Sequence, residues 1–313
     1  GLPAIVVQNW GQVPYAVLAS LSETASANLR ILGVCHADDK LCYDDVCYYE
    51  SIIGIILSVS DEITSELIRR LPHRKGDIVT RPCAVDIPSA PRVITMEKGG
   101  GISMVYAGRI VDGHKRLSRA IPLMMELQSR GVDFRLSIVG EGPYKNALIH
   151  AVSQLDESLR KRVFFQDAVS PDRMDAVWRA HNVCVLFSDF EGTSVSMLEA
   201  MAHGCVPVVS RVSGTSAVVR HGHNGFLIPV GDMKFMAERI DELVKDPDLL
   251  RRMSLSAFKT IQTKYSMDLY MPWFIDVLDR VRKTDARSWD RKKPLFRDRP
   301  QHPLWRKIMQ RLK

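Results

Sequence analysis

The chain has 313 residues, 46% of them hydrophobic and 25% charged, an ordinary globular composition that excludes collagen, coiled coil and wholesale disorder. Its longest near-unbroken apolar run, Ile52 to Leu57, is far short of the roughly 18–20 residues of a membrane-spanning helix. The formal charge is +7, but Arg280 to Lys313 carries 13 Lys/Arg against three Asp, so the rest of the chain sums to −3; a mildly acidic body without a basic stripe argues against a nucleic-acid partner.

The chain opens at Gly1 and enters a strand-like run at once, with no signal peptide in view. β-Branched runs predict strands at Ala4–Gln8, Leu29–Cys35, Ile53–Val59 and Ile78–Thr80. Helical stretches lie between them, notably Asp61–Leu71 behind Ser60 as an N-cap. The Pro-rich segment Arg81–Arg92 and the run Lys98-Gly99-Gly100-Gly101 read as an interdomain linker. A second set of strands follows at Ile102–Tyr106, Phe134–Val139, Val163–Phe165, Val183–Phe187, Val206–Val209 and Gly225–Ile228. The helices between and after them are Leu117–Ser129, Pro143–Gln154, Pro171–Ala180, Ser194–Ala202, Asp232–Lys245 and Asp246–Thr263. Strands alternating with helices mean α/β domains built on parallel sheets. The expected division is 1–97, 98–265, a return helix over 266–283 and a basic tail over 284–313. Four strands are few for a doubly wound domain, so the first domain is expected to lack an N-terminal piece. Six cysteines with no C-x-x-C pair (Cys35, Cys42, Cys47, Cys83, Cys184, Cys205) read as reduced thiols of a cytoplasmic protein, not a disulfide framework or zinc site.

Three loops carry the candidate chemistry. Asp189-Phe190-Glu191-Gly192-Thr193-Ser194-Val195 follows a buried strand, at the edge where open α/β sheets bind ligands. Gly192 permits close backbone approach, and Thr193 and Ser194 begin a helix whose free N–H groups attract phosphate. Glu191 in the loop and Glu199 inside the helix bracket that start. Gly108-Arg109 and Gly113-His114-Lys115 also lie between a strand and a helix, where Arg and Lys can clamp a diphosphate. Gly140-Glu141-Gly142-Pro143 is a third glycine loop at the same edge, without a full dinucleotide fingerprint. For each loop, caps and solvated charge are the competing reading.

Together these loops resemble the retaining, nucleotide-sugar-dependent glycosyltransferases of the GT-B fold, in the group-one class also called family four. Arg109 and Lys115 match its arginine–lysine pair, six positions apart, and Glu191 and Glu199 match its E-x7-E motif. Glu199–Val209, Ser213-Gly214-Thr215 and His221–Phe226 are similar to the segments that follow. The resemblance is dense from Ile102 to about Asp232 and thinner through Ile53–Pro82. It implies two Rossmann-like doubly wound domains, the N-terminal one incomplete here, because the family's glycine-rich acceptor loop has no counterpart. Arg116 stands where the family frequently has glycine.

The resemblance further implies a nucleoside diphosphate sugar as donor (uridine, guanosine or adenosine) and no cofactor or metal. Gly108, Arg109, Lys115, Gly192, Thr193, Ser194 and Val195 would hold the diphosphate and Glu199 the ribose. Glu191 would sit beside the reacting sugar, and His36, after the strand Leu29–Cys35, would face that sugar from the other domain. The acceptor would be a glycan or a lipid-linked sugar in polysaccharide biosynthesis. Basic residues interleaved with Trp289, Phe296, Leu304 and Trp305 over 286–313 have the composition of a segment that lies on an anionic membrane surface. A solvated tail, or one folded back on the first domain, is the alternative. Two other readings are a non-catalytic nucleotide-sugar or glycan-binding relative, and a Rossmann oxidoreductase or P-loop kinase. The second is disfavoured because no G-x-x-x-x-G-K-[ST] occurs.

Overall fold

Four short runs rich in Ile, Val and Leu form the first sheet. They are β1 (Ala4–Gln8), β2 (Leu29–Cys35), β3 (Ile55–Ser58) and β4 (Ile78–Thr80). All pairings are parallel and the order is β1-β2-β3-β4. Helices α1 (Gln12–Ala25), α2 (Lys40–Tyr48) and α3 (Asp61–Arg70) make the crossovers. Two of them begin at side-chain caps. Asp39 accepts from the N–H of Leu41 and of Cys42, and Ser60 accepts from the N–H of Ile63, relieving backbone donors that the first turn leaves open. The computed structural model describes residues 2–9, 11–92, 94 and 100–297.

The second sheet begins with β5 (Ile102–Ala107), α4 (Ala120–Ser129), β6 (Phe134–Val139), α5 (Lys145–Ser153), α6 (Glu157–Arg160) and β7 (Val163–Gln166). It continues with α7 (Pro171–Arg179), β8 (Val183–Leu186), α8 (Val195–Ala202), β9 (Val206–Ser210), α9 (Ser213–Ser216) and β10 (Phe226–Ile228), and α10 (Met233–Lys245) and α11 (Pro247–Lys264) follow. The order is β10-β9-β8-β5-β6-β7, with all pairings parallel. The chain therefore winds outward from β5 through β6 and β7, then returns to β8 on the other side. The loops after β5 and β8 leave the sheet in opposite directions, which opens a crevice at the carboxyl edge. Every residue of β8 and β9 is buried, as expected for inner strands covered by helices on both faces.

A final helix, α12 (Met267–Arg282), begins in this larger unit and ends in the smaller one. The division falls within it at Pro272, whose missing N–H removes one helical hydrogen bond. Trp273, Phe274, Val277, Leu278 and Val281 of α12 pack on Leu32, Ile55 and Leu57 of the first sheet. The smaller unit is thus built from described residues up to Arg81 and from Trp273 to 297, and the larger from Pro82–Pro272.

Three sequence expectations change. The boundary lies at 81/82 and not 97/98, because the Pro-rich segment belongs to the larger unit. Val85 exchanges backbone bonds with Tyr265 and Met267, and Ile94 is buried in that unit's core. Part of the expected linker run, Lys98-Gly99, lies outside the described residues. Pro143 precedes α5 by two residues, and 117–119 form a tight 3₁₀ turn ahead of α4.

The tail is the third change, since residues 284–297 fold back on the smaller unit. Trp289 is 3% exposed and packs against Tyr48 and Tyr49, and its backbone N–H donates to Ser22 Oγ at 2.9 Å. Lys293 donates to the Tyr48 carbonyl, while Tyr48 and Tyr49 donate to the carbonyls of Pro294 and Leu295. The amphipathic end of the tail, 298–313, lies outside the described residues. The six cysteines are free thiols. Among the described residues no helix is long and apolar enough to cross a membrane.

Candidate active site

Three loops meet where β5 and β8 diverge. The first leaves β5 through Gly108, whose N–H donates to the Val139 carbonyl at 3.0 Å. It lies so close to the loop after β6 that a Cβ on Gly140 would stand 2.0 Å from the Gly108 oxygen. Gly140 also has φ +142, a region that side chains disfavour, so this contact requires glycine. The Arg109 carbonyl accepts from Tyr106 Oη at 2.7 Å. Its side chain is exposed and makes no ion pair among the described residues.

Lys115 and Glu191 are joined across the crevice at 2.6 Å, and Ser188 Oγ donates to the same carboxylate oxygen at 2.6 Å. Glu191 is 8% exposed, so the two bonds compensate the desolvation of its charge. A second clasp runs beside it. Asp189 takes Arg116 Nε at 2.5 Å and Arg119 Nη1 at 2.6 Å, and its N–H donates to the His114 carbonyl. Burial pushes the Asp189 carboxyl up, but the bonds from Arg116 and Arg119 outweigh it and hold it below the usual carboxylate range. Arg116 has φ 52, the left-handed region where glycine is at ease. The sequence departure thus falls at a strained residue, and the Asp189 pairing offsets that strain.

Gly192 and Ser194 are buried just ahead of α8, and Ser194 is its N-cap position with no side-chain cap bond. The helix start therefore keeps open N–H groups, including that of the exposed Val195. Behind this loop, Ser213 Oγ donates to the Glu191 carbonyl, and a Cβ on Gly214 would stand 1.2 Å from the Gly192 oxygen. Thr193 bonds to the Cys83 thiol.

Glu199 is half-buried inside α8 and lines two cavities. One, of about 330 Å³, is walled by Gly108, Arg109, Gly140, Val169, Met174 and Trp178; the other, of about 400 Å³, by Val85, Asp86, Asp175, Trp178 and His203. Burial raises the Glu199 carboxyl above the usual range, with His203 and Trp178 acting the other way. The apolar wall of Val169, Met174 and Trp178 was not signalled by the sequence, where those positions read only as loop and helix. His203 was visible in the helix signature, but its pairing with Asp175 was not. Of the expected site residues, all but His36 lie in the larger unit. His36 directly follows β2 in the smaller unit, with Nδ1 3.2 Å from the Asn9 carbonyl. Among the described residues no group of three or more His, Cys, Asp or Glu is arranged to hold a metal ion.

Compared with known proteins, residues 101–246 match the family of glycosyl transferases group 1, so the larger unit carries a domain similar to that family over those residues. N-acetyl-α-D-glucosaminyl L-malate synthase of Bacillus anthracis is 31% identical over 134 residues, 43% of this chain and 34% of that protein. An uncharacterized glycosyltransferase of Methanocaldococcus jannaschii is 27% identical over 259 residues, 78% of this chain and 64% of its own length. The chain thus spans about a third to two thirds of these relatives. Among solved structures, Anabaena HepE in complex with UDP and glucose superposes with TM-score 0.74 at 16% identity, covering 88% of this chain and 77% of that one. TarM of S. aureus, solved with UDP, superposes at 0.71 and 21% identity, covering 80% and 51%. The two parallel-sheet units have the architecture of the GT-B fold.

Proposed function

Because residues 101–246 match the group 1 glycosyl transferases, we propose that the chain moves a sugar from a nucleoside diphosphate sugar to a hydroxyl of a glycan or lipid-linked acceptor. We further propose that the anomeric configuration is retained and that no metal ion takes part. One observation carries this reading. An Arg109 without an ion pair among the described residues, the Lys115–Glu191 pair and the open N–H groups of α8 all converge on one crevice at the switch point of the larger sheet. The complexes of HepE and TarM with UDP support the donor class.

In this reading Arg109 grips the diphosphate with its planar fork, and Lys115 exchanges Glu191 for phosphate. The N–H groups of Thr193, Ser194 and Val195 add fixed dipoles. Negative charge grows on the leaving phosphate oxygen as the glycosidic C–O bond breaks, and removing one such donor costs ~10²–10³ in rate. Glu199 accepts the ribose hydroxyls. Glu191, released by Lys115, orients the sugar against an oxocarbenium-like transition state. The acceptor oxygen attacks the same face, and its proton passes to the departing phosphate oxygen. His36, in the smaller unit, is the residue that the family pattern assigns to the sugar. Contact with an anionic membrane would rest on 298–313, since 284–297 packs on the smaller unit.

The test is turnover with UDP-, GDP- and ADP-sugars, following nucleoside diphosphate release and the product anomer by NMR. Retention is expected. Glu191→Ala should lower kcat, and Glu199→Ala should raise the donor KM by the loss of a bond of about 1–3 kcal/mol. Diphosphate binding without release or transfer from any donor would point to the non-catalytic relative.

A further inference from the structure

Trp178 is 1% exposed, and its indole Nε1 makes no full-geometry hydrogen bond among the described residues, although it lies near enough to the Glu199 carboxylate to lower its pKa. A buried donor left open is rare and costly, and it calls for a reason. The ring cannot swing away to find water. It sits near the end of α7, packed with Val105, Ala107, Val139 and Ala200, and its carbonyl accepts from the Cys205 thiol at 3.1 Å. It lines both cavities, and so does Glu199. The His203 ring, one turn on from Glu199, is already committed, with Nδ1 to the Glu199 carbonyl at 2.8 Å and Nε2 to Asp175. The indole N–H is therefore the donor left over beside a half-buried carboxylate that needs one.

We infer that Trp178 is a positioning residue for Glu199, its indole N–H donating to one carboxylate oxygen so that the other faces the donor's ribose hydroxyls. The inference rests on the ribose role proposed above for Glu199, but the contact itself belongs to the free protein. A bond to the ionised form also opposes the burial that raises this carboxyl. A rigid, apolar wall that supplies one fixed donor keeps the carboxylate both charged and aimed, where a flexible polar side chain would permit rotation.

Two measurements test this. In the ligand-free protein, one of the five tryptophan indole ¹H–¹⁵N signals, assigned by triple resonance, should move with pH as Glu199 titrates above the ordinary carboxylate range. It should stand still in Glu199→Gln. Charged or titratable groups around Glu199 are Arg109 and Glu141 at the first cavity, Asp86 and Asp175 at the second, Cys184 beneath it and His203 on its own helix. The same titration in His203→Gln must keep the movement. A signal that does not titrate in the wild type, or that still titrates in Glu199→Gln, overturns the inference. In the second measurement, Trp178→Phe keeps the packing and removes the N–H. UDP affinity should fall about tenfold, and the acid limb of binding should move to higher pH. In a Glu199→Gln background the same substitution should change nothing further. Equal affinity and pH profile in Trp178→Phe, or an equal loss in both backgrounds, overturns it. If the wild type binds no nucleoside diphosphate, the proposed donor site fails, while the indole titration still decides the contact.

Discussion

The two units solve the same problem by different means. In the larger, each loop of the crevice follows its own strand, and the side chains that face one another come from stretches of about ten residues after β5 and β8. In the smaller, the sheet is covered by chain from the far end of the sequence. α12 supplies the apolar face against Leu32, Ile55 and Leu57, and Trp289 bonds to Ser22 and packs on Tyr48 and Tyr49. A site made of local loops is written in short motifs, whereas a core completed from a distance is not. The larger unit is accordingly expected to keep its ligand chemistry when the smaller one is loosened.

On ligand binding, the largest effect should come from breaking the local geometry. Gly214→Ala places a Cβ on the Gly192 oxygen, so the loop before α8 must shift. Calorimetry should show nucleoside diphosphate affinity reduced by about 100-fold or more, or roughly 2.7 kcal/mol, with amide protection of the smaller unit unchanged. Affinity within tenfold of wild type would mean that the loop spacing is not what makes the site.

Trp289→Ala probes the distant completion. Emptying a buried tryptophan site costs about 3–5 kcal/mol. Hydrogen exchange should accelerate through β1–β4 and α1 while UDP binding by the larger unit persists. Simultaneous loss of both would erase the distinction between the units.

How much of this was open to the sequence follows from the same contrast. The six-residue step from Arg109 to Lys115 and the eight-residue step from Glu191 to Glu199 are intervals along one loop or one loop and helix, short enough for the family resemblance to be read on them. Both β-sheets were placed to within a residue or two, because parallel inner strands are continuous apolar runs. Asp189 gripping Arg116 and Arg119, and Trp178 beside Glu199, join elements far apart in sequence and leave no local pattern. The tail stayed open between alternatives for the same reason. Its charge, aromatics and prolines fit a membrane-facing, solvated or folded-back segment alike unless one knows that Ser22 and Tyr48 wait for Trp289.

A smaller effect separates strength of charge from strength of fold. Asp189 has its folded pKa below the ordinary value, so its contribution is present above about pH 4 and is lost as pH falls through the folded pKa. Asp189→Asn should remove that acid-dependent part, about 1 kcal/mol given its partial exposure, visible as a flatter stability curve below pH 4. An unchanged acid slope would mean that the clasp does not contribute. The smallest effect is expected at Arg116. Glycine there removes the left-handed strain but also one bond to Asp189. The two should nearly cancel, leaving the thermal midpoint unchanged, and a clear drop would show that the ion pair dominates.

The central claim is that the β5–β8 crevice is built for a diphosphate, and calorimetry of UDP against uridine tests it most directly. The wild type should bind UDP more tightly than uridine by about 100-fold, and Arg109→Ala or Lys115→Ala should remove most of that difference while leaving uridine affinity unchanged. UDP binding no tighter than uridine, or a UDP affinity indifferent to both substitutions, would contradict it.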